Sequence, residues 1–363
     1  MKKWPFVRQL SKSVQQAVEA HWYPSRDGDE ASRSTVAHYW TTSMGKALKW
    51  REQRLAEGAT AALPVIVVGN ITVGGTGKSP LVSALVQRLQ QWGLKPGIVS
   101  RGYGATIVDP PCLVEPARHQ VEQVGDEPLM LAQMTGVPVV VDPNRPRAVE
   151  RLKALGTVDV VVSDDGLQHY ALDRIIEIVV VDGARGFGNG QCLPLGPLRE
   201  PIERLQSVDM LVVNGQSALS VERSSHMGII NGIGFRRLGS PDRVSVESWL
   251  AERGASGSAP AVTAVAGIGS PERFFESLRQ IGLDVAKVSF EDHHAFSKND
   301  FANIAGTIVI TAKDAVKVQP DWAQDVWVFE IEMHMASEFW QDLKQRLVNH
   351  GLLKKELAGE GEK

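Results

Sequence analysis

The sequence predicts an α/β fold: a doubly wound, mostly parallel sheet with a smaller C-terminal α/β domain and N-terminal amphipathic helices. From residue 63 onward, short apolar runs recur without polar alternation, as in strands that are buried on both faces. Segments with helical spacing of apolar residues lie between several of these runs, and a glycine-rich turn joins the first run to the first helical segment. Such strand–helix alternation predicts helices on both faces of a sheet.

Composition limits the class of protein. The chain has 363 residues, enough for two domains, and its 43% hydrophobic content suits a globular protein. A net charge of −3 argues against a general nucleic-acid-binding protein. Two cysteines, Cys112 and Cys192, lack zinc-like spacing and indicate a reducing compartment without a disulfide framework. We see no secretory signal and no apolar run of about 18 residues, so we expect no membrane-spanning helix.

The N-terminal segment, residues 1–55, contains two amphipathic stretches. The first places Val7, Leu10 and Val14 on one helical face beside basic residues, and the second forms a stripe that includes Trp40 and Met44. Two interpretations are open. The helices pack on the body of the protein, as most amphipathic helices do, or they lie in a membrane interface, which basic and tryptophan side chains favour.

Residues 56–225 carry the alternating pattern of the predicted core. PVIVVGN predicts its first strand. SPLVSALVQRLQQWG predicts its first helix, with Pro80 tolerated in the first turn and Gly93 beyond the end. PRAVERLKAL predicts a later helix, and further strands are predicted by GIVS, VPVVVD, VDVVVSDDG, IEIVVVDG and VDMLVVNG.

Residues 226–352 predict the smaller second domain. HMGIINGIGFRRL predicts a strand or hairpin, and ERGASGSAP predicts a surface loop. Beyond this loop, strands are predicted at AVTAVAGIG, VAKVSF, TIVITAKD and VWVFEIEM, and helices at PERFFESLRQIG and EFWQDLKQRLVNHG. The last residues, 353–363, are predicted to be a disordered tail.

The stretch VGNITVGGTGKSP predicts a phosphate-binding loop between the first strand and the first helix. Backbone N–H groups at a helix start bind anions, and glycines let the chain approach phosphate closely. Lys78 suits the β- and γ-phosphates, and the Ser79 hydroxyl suits Mg²⁺. Because Thr72 replaces the first glycine of the standard pattern, a plain turn is the alternative. The predicted nucleotide contacts are Thr72, Gly74, Gly75, Thr76, Gly77, Lys78 and Ser79.

Acidic and basic residues follow the predicted strands. Asp164 and Asp165 directly follow a buried strand, where an acidic partner of the phosphate loop would hold Mg²⁺, although such a pair is often only a turn. Arg199 and Glu200 lie in a loop rich in proline and glycine, where an arginine can clamp phosphate and a surface ion pair is the alternative. With the glycine loop, the pattern predicts a metal site built from Ser79, Asp164 and Asp165.

Two further blocks are candidates for proton transfer. Asp126 and Glu127 stand between a glycine and a proline before a helical run, where helix capping is the alternative role. His293 and His294 are adjacent in SFEDHHAFSKND, and side chains of successive strand residues diverge, so both binding one metal is disfavoured. A proton shuttle and a plain surface loop both stay open for this block.

Nine blocks in order resemble a known family. They are VGNITVGGTGKSP, SRGYG, VGDEPLML, SDDGLQH, LPLGPLREP, VNG, AGIGSPERFF, DHHAF and TAKDAVK. From about residue 60 to 345 the chain resembles the tetraacyldisaccharide 4′-kinase family of the lipid A pathway. The phosphate loop of this family typically lacks the first glycine, so the resemblance implies that Thr72 is normal there.

The resemblance implies a P-loop NTPase-like core and transfer of the ATP γ-phosphate, with Mg²⁺, to the 4′-hydroxyl of a tetraacylated glucosamine disaccharide 1-phosphate. It implies an active site between the core and the smaller domain. It also implies a cytoplasmic protein peripherally associated with the inner membrane, whose partner is the lipid substrate. Neither nucleic acid nor an obligate protein partner is expected.

The same resemblance assigns roles by position. Asp126 matches the proposed catalytic base, supported by a histidine of the DHH block. The pattern leaves both His293 and His294 open for this role, and we favour His294. Arg199 and Glu200 match residues near the transferred phosphate or the substrate. The other matches are Asp164 and Asp165 for the metal, Gln168 and His169 beside them for substrate binding, and Lys78 and Ser79 for the nucleotide.

The sequence departs from the family at three places. Its N-terminal segment is less hydrophobic and less rich in proline and leucine, Ser270 stands where asparagine is expected, and Ser79 replaces threonine but keeps the hydroxyl.

A competing class is a nucleotide switch, an ATPase or GTPase that drives a partner or inserts a metal. GGTGKS resembles the loop of such proteins, and TAKD resembles a guanine-reading motif. A small-molecule ligase on the same core is a third alternative.

Overall fold

The computed structural model of the protein describes residues 18, 21–23, 61–107, 109–216, 224–254 and 259–354. Most of the predicted N-terminal amphipathic stretches and nearly all of the predicted tail therefore lie outside the described residues. Within the described part of the chain, no helix combines the length and the apolar character that crossing a bilayer requires.

A mostly parallel sheet forms the first half of the described chain. Its strands are β1 (Val65–Gly69), β2 (Pro96–Ser100), β3 (Cys112–Leu113), β4 (Val139–Val141), β5 (Val160–Asp164), β6 (Ile176–Asp182) and β7 (Met210–Asn214). Their order is β3-β4-β2-β5-β1-β6-β7, and only the short β3 runs antiparallel to its neighbour. The carboxyl ends of β1, β5 and β6 therefore meet at one edge, where ligands bind in sheets of this kind.

The same sheet continues into the second half. Its further strands are β8 (His226–Arg237), β9 (Arg243–Val244), β10 (Ala261–Ala266), β11 (Asp284–Ser289), β12 (Ile308–Thr311) and β13 (Val326–Met335). The long β8 pairs in parallel with β7 and antiparallel with β13, and β12, β10 and β11 follow in parallel beyond β13. The run predicted as a strand or hairpin is thus one strand, which links the two halves.

Helices cover both faces of the first half. The helices are α1 (Lys78–Gln91), α2 (Val121–Val124), α3 (Asp126–Thr135), α4 (Arg145–Ala154), α5 (Val246–Arg253), α6 (Pro271–Gln280), α7 (Ala312–Ala315) and α8 (Ser337–Asn349). On β1, Ile66 and Val68 point to a core shared with α1 and α3, whereas Val65 and Val67 point to a core shared with α4. This arrangement confirms the predicted α/β fold.

The last helix packs on the first half although it follows the strands of the second. Phe339, Leu343 and Leu347 of α8 are fully buried in the same core as α1 and α3. Two other cores consist of residues between Phe235 and Phe329. The C-terminal end of the predicted second domain therefore helps to stabilise the first half.

Candidate active site

The loop between β1 and α1 curls at glycines. Gly74 and Gly77 both have φ of 97°, a left-handed conformation that favours glycine. A Cβ on Gly77 would lie 2.6 Å from the side-chain nitrogen of Asn214, which donates a 3.0 Å hydrogen bond to the Thr76 carbonyl. No side chain of the described residues caps the N terminus of α1, so its N–H groups can bind an anion.

The front of this loop explains why a threonine stands where a glycine is usual. Thr72 forms an antiparallel bridge with Leu198 and is 3% exposed. On either side of it, the Val73 N–H donates to the Pro197 carbonyl at 2.8 Å, and the Arg199 N–H donates to the Ile71 carbonyl. Thr72 is not at positive φ, so this paired backbone does not need glycine.

The described N-terminal residues contact this region. Trp22 is 2% exposed and packs against Val73 and Leu193. Its indole N–H donates to the Pro194 carbonyl at 3.2 Å. Tyr23 stacks under the guanidinium of Arg185, 4.5 Å away, next to Gly74. Residues 22 and 23 of the N-terminal segment therefore contact the phosphate loop and its surroundings.

Lys78 and the predicted acidic and basic residues come together. The Lys78 ammonium lies 3.4 Å from the Asp165 carboxylate, to which the Arg199 guanidinium donates at 2.9 Å. Asp165 adopts φ of 49°, which turns its side chain back toward the loop. Asp164, at the end of β5, is 1% exposed, and its carbonyl accepts a hydrogen bond from Arg145. Three blocks that are distant in sequence thus form one charged cluster.

The oxygen donors suit Mg²⁺. Ser79 offers a hydroxyl, and Asp164 and Asp165 offer carboxylates, the ligand types that Mg²⁺ prefers. Among the described residues, no group of three or more His, Cys, Asp or Glu side chains could hold a metal without further ligands. Mg²⁺ is usually held by one or two carboxylates together with substrate phosphates and water.

Glu200 requires a correction. Its carboxylate is fully buried, lines neither of the two cavities described below, and accepts hydrogen bonds from Gln168 and Tyr170, both at 2.7 Å. It also pairs with Arg204 at 3.2 Å. The Gln168 side chain in turn accepts a 3.3 Å hydrogen bond from Arg199. Glu200 therefore does not reach the phosphate region but orients Gln168, because its side chain points into the interior.

The histidine that contacts Asp126 is His293, so our preference for His294 was wrong. The His293 Nδ1 atom lies 2.7 Å from the Asp126 carboxylate. His293 adopts φ of 61°, and its N–H donates to the Gly267 carbonyl, so its ring turns toward α3. His294 points elsewhere, because it stacks on Phe290 and contacts Asp300 at 3.3 Å.

Asp126 is kept ionised. Burial by itself raises the pKa of this carboxyl, but the hydrogen bond with His293 and the nearby charge of Lys313 outweigh burial and hold the pKa below its usual value. Asp126 lies at the start of α3, where a negative charge is also favoured. The carboxylate is therefore available as a hydrogen-bond acceptor at neutral pH.

A first cavity of about 770 Å³ opens between the phosphate loop and the second half of the sheet. Its walls include Lys78 and Ser79 on one side and Phe274 and Lys313 on the other. Glu127 also lines it. The cavity is large enough for a nucleotide, and its phosphate end is the start of α1.

A second cavity of about 600 Å³ lies on the other side of the charged cluster. Glu127 lines this cavity too, whereas Asp126 and His293 line neither, so the two cavities share the start of α3. Further lining residues are Arg101, Tyr103, Arg145, Asp164, Asp165, Gln168, His169 and Arg199.

Three arginines line this second cavity beside three acidic residues, and His169 stays neutral there. Burial lowers the pKa of Arg145 to about 10, which leaves it cationic at neutral pH. Burial and the charges of Arg145 and Arg174 lower the pKa of His169 to about 4. Arg145 is 2% exposed and starts α4. We did not predict it as a site residue, although the sequence shows an arginine at the start of a helix that follows a strand.

The block TAKD does not offer a carboxylate for reading a guanine base. Asp314 is fully buried, accepts hydrogen bonds from the Gly267 N–H and the Thr311 hydroxyl, and pairs with Lys317 at 2.7 Å. Its side chain therefore links the carboxyl ends of β10 and β12. This removes the sequence feature that favoured recognition of guanine.

Comparison with known proteins identifies the family. The family model for the tetraacyldisaccharide-1-P 4′-kinase, LpxK, matches residues 36–348. The tetraacyldisaccharide 4′-kinase of Legionella pneumophila (strain Lens) is 43% identical over 293 residues, covering 81% of this chain and 86% of that protein. The enzyme of the same name from Vibrio vulnificus (strain YJ016) is 44% identical over 291 residues, covering 79% and 82%.

A solved structure has the same fold. The crystal structure described as an "apo" form of LpxK from Aquifex aeolicus in complex with ATP matches with a TM-score of 0.67. It covers 86% of this chain and 96% of that chain at 24% sequence identity, which supports the fold. The family match spans most of the chain and the curated relatives are far above 30% identity, so the chain belongs to the tetraacyldisaccharide 4′-kinase family.

Proposed function

We propose that the chain is an ATP-dependent kinase that phosphorylates the 4′-hydroxyl of a tetraacylated glucosamine disaccharide 1-phosphate in lipid A biosynthesis. The names of its relatives support the reaction. The observation that carries the proposal is the junction between the cavities. Lys78, at the start of α1, lies in the first cavity and contacts Asp165 of the second, and Glu127 lines both. Two substrates can therefore meet at one point.

The nucleotide occupies the first cavity in this proposal. The N–H groups at the start of α1 bind its phosphates, and the Lys78 ammonium neutralises the β- and γ-oxygens. Ser79, Asp164 and Asp165 hold Mg²⁺ or its water shell. When bound, Mg²⁺ supplies positive charge that offsets the charge on the phosphates. Arg199 adds a second fixed cation beside Asp165.

The disaccharide headgroup occupies the second cavity. Gln168 and His169 line it as neutral hydrogen-bonding groups, and Tyr103 adds an aromatic wall. The guanidinium of Arg145 is suited to an anionic group on the acceptor. A sugar carrying a phosphate needs such a mixture of neutral donors and a fixed positive charge.

Asp126 lines neither cavity, but its neighbour Glu127 lines both, and in this proposal the bound 4′-hydroxyl reaches the Asp126 carboxylate. Asp126 then accepts the hydroxyl proton, and His293 holds the carboxylate in place. The short Asp126–His293 contact and the ionised state of Asp126 support this role. Glu127, the next residue, lines both cavities and is the alternative acceptor. Transfer then occurs directly from nucleotide to hydroxyl, because positioning and charge neutralisation dominate this chemistry.

The substrate requires contact with a membrane. A lipid with four acyl chains stays in the bilayer, since each buried CH₂ group contributes about 0.8 kcal/mol. We infer that the protein is peripherally associated with the cytoplasmic face of the inner membrane through its N-terminal segment. The anchoring of residues 22 and 23 on the phosphate loop supports a position of that segment next to the active site.

Dependence of ADP release on the acceptor tests the function. We expect the rate of ADP formation to rise strongly when the disaccharide lipid is added in mixed micelles. ADP formation that is independent of the lipid would instead favour a nucleotide switch. A Lys78→Ala variant serves as the control, because it removes the main phosphate cation and should abolish either activity.

A further inference from the structure

Lys313 lies in the middle of three carboxylates. Its ammonium is 3.1 Å from Glu127, 3.5 Å from Asp292 and 3.8 Å from Asp126. Its side chain is only 17% exposed. Asp126 and Glu127 start α3 in the first half of the sheet, whereas Asp292 and Lys313 belong to the second half. One positive charge thus connects acidic groups from both halves.

Lys313 offsets the negative charge of the carboxylates around Asp126. The titratable groups that face it are Glu127, His293 and Lys313, and Asp292 contacts both His293, at 3.7 Å, and Lys313. Carboxylates this close disfavour one another's ionisation, whereas an opposite charge within about 4–6 Å lowers the pKa of a carboxyl by about 1–3 units. Without Lys313, the cluster keeps three carboxylates and no permanent cation.

We propose that Lys313 is a positioning residue that keeps Asp126 ionised and holds the Asp126–His293 pair in register across the two halves. The proposal rests on the proposed role of Asp126 as the proton acceptor. Lys313 acts through Asp126 and does not itself take part in proton transfer. A neutral side chain of similar length leaves the packing but removes the charge.

The protonation state of Lys313 agrees with this arrangement. Burial lowers the pKa of an ammonium, but Glu127, Asp126 and Asp292 outweigh burial and raise the pKa of Lys313 above its usual value. Lys313 is therefore a permanent cation over the pH range in which kinases are assayed. Asp314, the next residue, is paired instead with Lys317, so the two lysines have separate partners.

Lys313 also lines the first cavity, which gives the proposal a clear competitor. If the ammonium mainly contacts a nucleotide phosphate, its removal raises KM for ATP and leaves the pH dependence unchanged. If it mainly acts on Asp126, its removal shifts the acidic limb of the pH–rate profile. These two outcomes are measured in the same experiment.

The test compares Lys313→Met with Lys313→Arg and with Lys317→Met, which removes a lysine that pairs with Asp314 and lies over the Phe296 ring. In Lys313→Met, we expect the acidic limb of kcat/KM for the lipid acceptor to move up by at least about one pH unit. Lys313→Arg should restore most of the wild-type position, and Lys317→Met should leave the limb in place. A raised KM for ATP with an unmoved acidic limb, together with an unchanged pKa of Asp126 measured by NMR, would overturn the proposal.

A second readout is independent of turnover. Carbon-13 NMR of labelled aspartate, assigned with Asp126→Asn, should give a higher pKa for Asp126 in Lys313→Met, and an unchanged value would refute the proposal. A raised NMR pKa with an unchanged kinetic limb supports Lys313 but removes Asp126 as the acceptor. If Lys313→Met does not fold, Lys313→Met/Asp292→Asn removes one repelling carboxylate and keeps the same readouts.

Discussion

Asp126 and Glu127 differ in what their side chains touch. Asp126 is hydrogen bonded to His293, whereas Glu127 lines both cavities. Replacing the proton acceptor should cost about 10²–10⁴-fold in kcat, the usual scale for such groups. We expect this loss in Asp126→Asn with ATP binding retained, and a smaller loss in Glu127→Gln. Steady-state kinetics and ATP titration of both variants check this, and the reverse ranking would assign the proton to Glu127.

His169 should contribute a pH dependence to stability. Its pKa is lowered to about 4 in the folded protein, below the ordinary value near 6.5. The contribution is therefore complete above about pH 6.5 and is lost as the pH falls toward 4, because the unfolded chain binds the proton first. Urea unfolding between pH 4 and 7 should show a shallower pH dependence in His169→Gln. An identical pH dependence of the free energy of unfolding in both proteins would mean that the pKa of His169 is not lowered in the folded protein.

At the scale of one element, the phosphate loop has two distinct parts. The front, at Thr72, is paired with Leu198, whereas the back, at Gly77, has φ of 97°. Restoring the standard glycine by Thr72→Gly should lower the free energy of unfolding by about 1 kcal/mol, because glycine is costly in paired extended chain. Gly77→Ala should instead weaken ATP binding by about tenfold or more, since strain there costs about 1–3 kcal/mol.

Thermal or urea unfolding and ATP titration of both variants separate these effects. A Thr72→Gly protein with higher stability or tighter ATP binding than the wild type would contradict the paired geometry. Val67→Ala in the buried β1 gives a control for a general loss of packing that does not touch the loop backbone.

Strands and helices were predictable from the sequence, but their partners were not. Continuous apolar runs predicted β1, β5 and β6, because strands that are buried on both faces have no polar face. The choice between His293 and His294 depends on a positive φ at His293 and on contact between the two halves, and neither leaves a local signal. Likewise, the sequence pattern predicts that Glu200 is an exposed acidic residue in a loop. In the structure, however, Gln168, Tyr170 and Arg204 surround its buried carboxylate.

For the whole molecule, α8 follows the strands of the second half in sequence but packs in the core of the first half. Leu343 is buried among α1 and α3, whereas Phe275 of α6 is buried in a core of the second half. We expect Leu343→Ala, at a cost of about 2–5 kcal/mol, to increase amide hydrogen exchange mainly in β1 and α1. Phe275→Ala should act mainly on β10 and β11. Equal protection loss in both halves for both variants would contradict separate cores.

We propose that the phosphate loop and the acceptor cavity meet so that phosphate passes directly to a sugar hydroxyl. The most direct measurement is the position of label after incubation with γ-³²P-labelled ATP and the tetraacylated disaccharide 1-phosphate. We predict that the label appears on the 4′-oxygen of the lipid, in equal amount to the ADP formed, and that Lys78→Ala abolishes it. Label found in free phosphate, with none in the lipid, would contradict direct transfer from ATP to the sugar hydroxyl.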